Sequence, residues 1–157
     1  MPHIIPNLWF DTEAEEAARF YVSIFPNSEI TAVTHYTEAD QREAGMVLTV
    51  EFTLDGQKFV GINGGPELTF DEAISFQIDC ADQAEIDRYW EALTNGGEEG
   101  PCGWLKDRYG VSWQVCPDDL AEILNDPDTE KVNRWKTAMY GMKKLDLAVL
   151  EAAAEGR

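Results

Sequence analysis

The chain has 157 residues, 44% of them hydrophobic and 11% aromatic, enough to bury a sizeable core as a single domain. Thirty acidic against twelve basic side chains give a formal charge of −18, which repels the phosphates of nucleic acids and anionic membranes and argues against both as partners. No apolar run approaches the ~18 residues of a membrane span, and MPHIIPNLWF has neither the basic nor the long apolar region of a secretory signal; three cysteines without a CxxC pair fit a reducing cytoplasm.

The charge is uneven. Residues 1–125 hold 24 acids and 6 bases, whereas residues 126–157 hold 6 of each, so a neutral tail follows an acidic body. Such a tail suits docking on its own body or on a second subunit, and a solvated helix would share the pattern.

In chain order, the first element is an apolar stretch closing on Asp11, followed by a helix. Thr12 with Glu15 reads as a capping box, and Ala14, Ala17, Ala18, Tyr21 and Phe25 form an apolar stripe that Pro26 ends. Strand-like runs follow at about 29–36, 46–54 and 58–63, the last two joined by an Asp55-Gly56 hairpin turn. The pattern then repeats: ISFQID closes on Asp79, 68 positions after Asp11, and Asp82 with Glu85 caps a helix buried through Ile86, Tyr89, Trp90 and Leu93. Gly96 and Gly97 end that helix. Strands are expected near Cys102, at 104–106 and, after an Asp107–Gly110 turn, at 111–116. Each half reads strand, helix, strand, strand, strand.

Beyond Pro117 the pattern is helical: a short helix over 118–124, a break at 125–128, and a long helix from about Thr129. Val132, Trp135, Met139 and Met142 make one apolar seam on it. The seam either faces the protein's own core or needs a partner subunit; the neutral tail beside an acidic body gives the expectation of a homodimer to which the tail contributes.

Strand alternation points to a site. Val111, Trp113 and Val115 alternate with Ser112, Gln114 and Cys116, and Ile74, Phe76 and Ile78 with Ala73, Ser75 and Gln77. If helices cover the apolar face, the polar one faces bulk water or a cavity, and neutral amides and hydroxyls beside aromatics are what a small-molecule pocket uses for orientation. Only His3 and His35 are present, with no HxxxH or HExxH spacing, and no GxSxG accompanies them. Gly64-Gly65-Pro66 reads as a turn rather than a phosphate loop. Glu51 and Asp79 are the strand carboxylates an enzymatic role would draw on.

The stretch LWFDTEAEEAARFYVSIFPNSEI, the INGGP of 62–66 and above all CGWLKDRYGVSWQVCP at 102–117 resemble the PhnB-like branch of the vicinal oxygen chelate superfamily, the glyoxalase and bleomycin-resistance fold, also labelled a 3-demethylubiquinone-9 3-methyltransferase domain. The resemblance spans essentially the whole chain and agrees with the repeat. It implies an α+β fold in which paired βαβββ modules, 1–66 and 73–117, form a cupped sheet, with a helical tail at 118–157. In metal-dependent relatives four strand positions of the cup carry His and Glu; the resemblance places Asn7 or its neighbour Pro6, Asn63, Ser75 or Ala73, and Gln114 there, so no metal or other cofactor is expected, because amide, hydroxyl and apolar side chains lack the charge and basicity of divalent-metal ligands. The leading expectation is a metal-free cup binding a small organic molecule, with Trp9, Trp104 and Trp113 as candidate aromatic walls, although alternation places Trp113 on the apolar face, and Asn7, Asn63, Ser75, Gln77 and Gln114 as polar contacts. The alternatives are an enzyme of the same fold, the methyltransferase of the family label, and a structural dimer module.

Overall fold

A computed structural model describes residues 2–157. The backbone divides into two compact units, Met1–Thr69 and Phe70–Arg157. Each contains the expected module, and the strand order in the two sheets is the same.

In the first unit β1 (Asn7–Phe10), α1 (Ala14–Ile24), β2 (Glu29–His35), β3 (Val47–Leu54) and β4 (Gln57–Asn63) follow in sequence. They assemble as β1-β4-β3-β2, with β1 parallel to β4 and the other pairs antiparallel. One sheet face packs on α1: Leu8, Phe10, Val50, Phe52 and Phe59 are buried with Ala14, Ala17, Ala18 and Tyr21. Gly61 permits the close approach, since a Cβ there would lie 3.2 Å from that of Ala14. The hairpin between β3 and β4 turns through Asp55 and Gly56, both at positive φ (47° and 79°), as a two-residue turn matched to strand twist requires.

The Thr12 capping box does not form. The helix begins at Ala14 with Glu13 in the cap position and no side-chain cap of its own. The oxygen comes from elsewhere in the fold: Asn63 Oδ1, at the end of β4, accepts from the Ala14 N–H at 2.9 Å. A strand end 49 residues away thus satisfies a helix donor that local sequence assigns to Thr12.

The second unit repeats the plan with β5 (Ser75–Cys80), α2 (Gln83–Thr94), β6 (Glu98–Glu99), β7 (Trp104–Lys106) and β8 (Ser112–Pro117), ordered β5-β8-β7-β6. Here the local cap is real: Asp82 accepts from the Glu85 N–H at 2.9 Å, while Glu85 reaches back to the Ala81 N–H. The strand expected near Cys102 lies earlier, at β6, because Cys102 and Gly103 both take left-handed backbone angles (58° and 82°) and turn the chain.

The tail forms α3 (Leu120–Leu124), α4 (Thr129–Tyr140) and α5 (Leu147–Ala154), so the single long helix expected from Thr129 is broken after Tyr140. Gly141 ends it, and the chain doubles back. Trp135 is buried with Leu145, Leu150 and Ala154, and Met139 and Met142 pack on that cluster. The apolar seam is therefore covered by the protein's own α5, which removes the seam as an argument for a second subunit. Among the described residues no helix is long and apolar enough to cross a membrane.

Candidate functional site

Residues paired across a ladder point to the same face, so the register sorts the second sheet. Phe76, Trp113, Ile78, Val115 and Leu105 share the face toward α2. Trp113 is buried there, and its indole donates to Asp107 Oδ2 at 2.8 Å. That carboxylate also takes the Tyr109 and Val111 N–H groups through Oδ1, so the Asp107–Gly110 turn is a structural device that fixes β8.

The opposite face carries Ser75 and Gln77 on β5, Ser112, Gln114 and Cys116 on β8, and Trp104 and Lys106 on β7. It borders a cavity of about 630 Å³, within the ordinary range for ligand pockets. Trp104, Lys106, Ser112, Gln114 and Cys116 line it from the strands, and Leu120, Leu124, Met139, Tyr140 and Leu145 line it from the tail. The strand side is thus polar, with Glu72, Glu98 and Glu99 also lining the cavity, and the tail side is largely apolar.

The CGW motif docks the tail segment that makes the apolar wall. The left-handed turn at Cys102 and Gly103 aims their N–H groups at the carbonyls of Met142 and Lys143, each at 2.8 Å. A side chain on Gly103 would lie 2.9 Å from the Val115 carbonyl oxygen and 3.2 Å from Leu145, so glycine is required for approach as well as for conformation. Gln83 holds the same segment from α2, donating to the Leu145 carbonyl at 2.9 Å and accepting from the Leu147 N–H at 2.8 Å. Lys144 adds an ion pair with Asp87 at 2.7 Å.

Gln114 is half-buried, and its Nε2 donates to Ser75 Oγ at 2.9 Å. Ser75, Trp104 and Gln114 are thereby brought together. Gln77 is exposed and donates to Asp79 Oδ1 at 2.8 Å; it does not line the cavity. At the cavity's edge Lys106 pairs with Glu72; that pairing holds the Glu72 carboxyl below the ordinary carboxylate range and the Lys106 ammonium above its own. Burial pushes the Cys116 thiol up to about 11, and the nearby Asp79 adds to the shift.

The other candidates belong to the first unit. Asn7 is exposed and donates to the Ile5 carbonyl. Trp9 is half-buried, lies over Gly64, where any Cβ would overlap its ring, and donates to the Gly65 carbonyl at 2.9 Å; this is the physical role of the INGGP stretch. Asn63 pairs in register with Phe10 and faces α1, away from Asn7 and Trp9. Its amide is tied at both ends, Oδ1 to the Ala14 N–H and Nδ2 to the Val47 carbonyl at 3.0 Å. Arg42 and Tyr36, which sequence reading passed over, complete that network by donating to the Asn63 carbonyl at 3.2 and 2.5 Å.

Two identical module topologies with one parallel pair each define the glyoxalase and bleomycin-resistance fold class, and comparison with known structures agrees. The PhnB protein from Bacillus cereus, which carries a 3-demethylubiquinone-9 3-methyltransferase name, is 36% identical with a TM-score of 0.65, over 73% of this chain and 98% of that one. A Pseudomonas aeruginosa protein gives a TM-score of 0.63 at 19% identity over 74% of this chain and 98% of that one. A mutant of the fosfomycin resistance protein FosX from Listeria monocytogenes, crystallised with Mn(II) and 1S,2S-dihydroxypropylphosphonic acid, gives 0.54 at 18% identity over 80% of this chain and 100% of that one. No curated protein matches the sequence. The chain belongs to the 3-demethylubiquinone-9 3-methyltransferase (PhnB-like) family, whose model matches residues 2–116.

The fold class implies a divalent metal, and the residues here do not suit one. Asn63 is tied to the helix, Ser75 and Gln114 bond one another, and none of the four positions offers a carboxylate or an imidazole. Among the described residues no group of three His, Cys, Asp or Glu side chains is gathered in a metal-holding arrangement.

Proposed function

We propose that the protein binds a small organic molecule in the cavity of its second unit, between the polar sheet face and the tail, without a metal. The observation that supports this most is the division of the cavity wall: an aromatic and a neutral amide, Trp104 and Gln114, on one side and leucines and a methionine on the other. Burial area comes from the apolar wall and orientation from the polar one. The family name is taken as a label of kinship, since of the titrating groups that line the cavity Glu72 and Lys106 pair with one another and Glu99 accepts from the Trp90 indole. Three unpaired cysteines support a cytoplasmic protein.

A thermal-shift screen of a small-molecule library against the wild type and Met139→Trp tests it. Tryptophan at 139, a half-buried tail position that lines the cavity, narrows it from the tail side. Ligands of the cavity raise the wild-type midpoint and leave that of Met139→Trp unmoved. Hits that stabilise both equally, or the lack of any hit, contradict the reading.

A further inference from the structure

We infer that Ser112 is the hydrogen-bonding anchor of this cavity and that its ligand is an uncharged molecule with an apolar body and one neutral hydrogen-bonding group; the inference rests on the cavity being a binding site. Ser112 is 1% exposed, lines the cavity, and its Oγ is a buried polar atom without a hydrogen-bond partner among the described residues. Its neighbours on the ladder bond elsewhere. Ser75, opposite it on β5, has its hydroxyl engaged by Gln114, and Lys106, opposite it on β7, is engaged by Glu72.

A buried hydroxyl ordinarily has a partner, because the protein interior offers no water in exchange. Here the group that goes without one sits on a cavity wall, opposite Lys106 with Trp104 the next residue on that face of β7, and the tail lines the cavity with apolar side chains. A ligand hydroxyl or carbonyl supplies the missing partner while its hydrophobic body meets Leu120, Met139 and Leu145.

Charge narrows the class further. Among the described residues Lys106 is the one cation that lines the cavity, and Glu72 holds it, so a ligand anion finds no free counter-charge there in a protein of net charge −18. Glu72, Glu98 and Glu99 are the lining carboxylates, but the Lys106 ammonium stands opposite Ser112 on the ladder and disfavours a second cation at that hydroxyl. A neutral ligand fits both facts.

The test uses 1-naphthol, naphthalene and 1-naphthoate as probes, with binding to wild type and Ser112→Ala followed by tryptophan fluorescence and calorimetry. The expected order for wild type is naphthol, naphthalene, naphthoate. Ser112→Ala should weaken naphthol about fivefold and leave naphthalene within about twofold, the size of one lost neutral hydrogen bond. The ligand-free variant should melt at or above the wild-type temperature, because it loses a hydroxyl that the protein itself does not satisfy; a lower midpoint contradicts the proposal. Equal naphthol affinity in the two proteins overturns the role of Ser112 and leaves the cavity reading standing. Naphthoate binding tightest overturns the neutral class. No binding by any probe, alongside cavity-directed hits in the library screen, overturns the ligand class alone; no binding by either removes both readings.

Discussion

The two units use one topology for different ends. In the first, the amide at the end of β4, Asn63, turns inward and holds the α1 amino terminus and the Val47 carbonyl. In the second, α2 is capped by its own Asp82, and the amide on β8, Gln114, lies on the face away from the helix and borders a cavity. A helix that supplies its own cap leaves the sheet's polar side chains free for other work. Topology therefore fixes where polar groups can stand, and local capping decides which of them remain available to a ligand.

The largest effect expected from this contrast is on stability. Asn63→Ala leaves the Ala14 N–H and the Val47 carbonyl without partners in a buried site, and should destabilise the protein by about 2–4 kcal/mol in a denaturant titration. Gln114→Ala removes one half-buried bond to Ser75 and should cost under about 1 kcal/mol, while weakening cavity ligands by roughly 1–2 kcal/mol. Equal stability losses at the two positions would erase the distinction.

Next comes the tail. Gln83→Ala frees the Leu145 carbonyl and the Leu147 N–H, loosening the wall that the tail gives the cavity. A loss of about 1–2 kcal/mol is expected, with faster hydrogen exchange in 139–147 and weaker binding of the same ligands. Unchanged exchange there would mean that the CGW contacts suffice.

The smallest effect is chemical. Burial pushes the Cys80 thiol up to about 12, with Glu85 adding to it, and the Cys116 thiol up to about 11. At pH 8 both are protonated and unreactive, since the thiolate is the nucleophile. Iodoacetamide should therefore label native protein once per chain, at half-buried Cys102. Rapid labelling of Cys116 would show that the cavity opens to solvent more than its walls indicate.

The repeat, both helices, the Asp55-Gly56 hairpin and the alternation on β8 were legible in the sequence because each is written in neighbouring residues. What local pattern could not carry was decided at long range. Thr12 has the right spacing for a cap, yet Asn63 arrives from a strand end and takes the donor. Val132, Trp135 and Met139 spell a seam, but nothing in their spacing says that the chain turns after Tyr140 and covers it with α5. The apolar wall of the cavity went unread for the same reason. Ser112 was within reach: it shares the alternation of Gln114, and only its missing partner, a property of packing, sets it apart.

The central claim is that ligand binding belongs to the second unit, between β7, β8 and the tail. Amide chemical-shift mapping by ¹H–¹⁵N correlation spectroscopy with 1-naphthol tests it most directly. Perturbations gathered at 98–116 and 139–145, with 7–10 and 47–63 unmoved, are the predicted result. Perturbations centred on Trp9 and 60–65, with Trp104 and Gln114 silent, would contradict it.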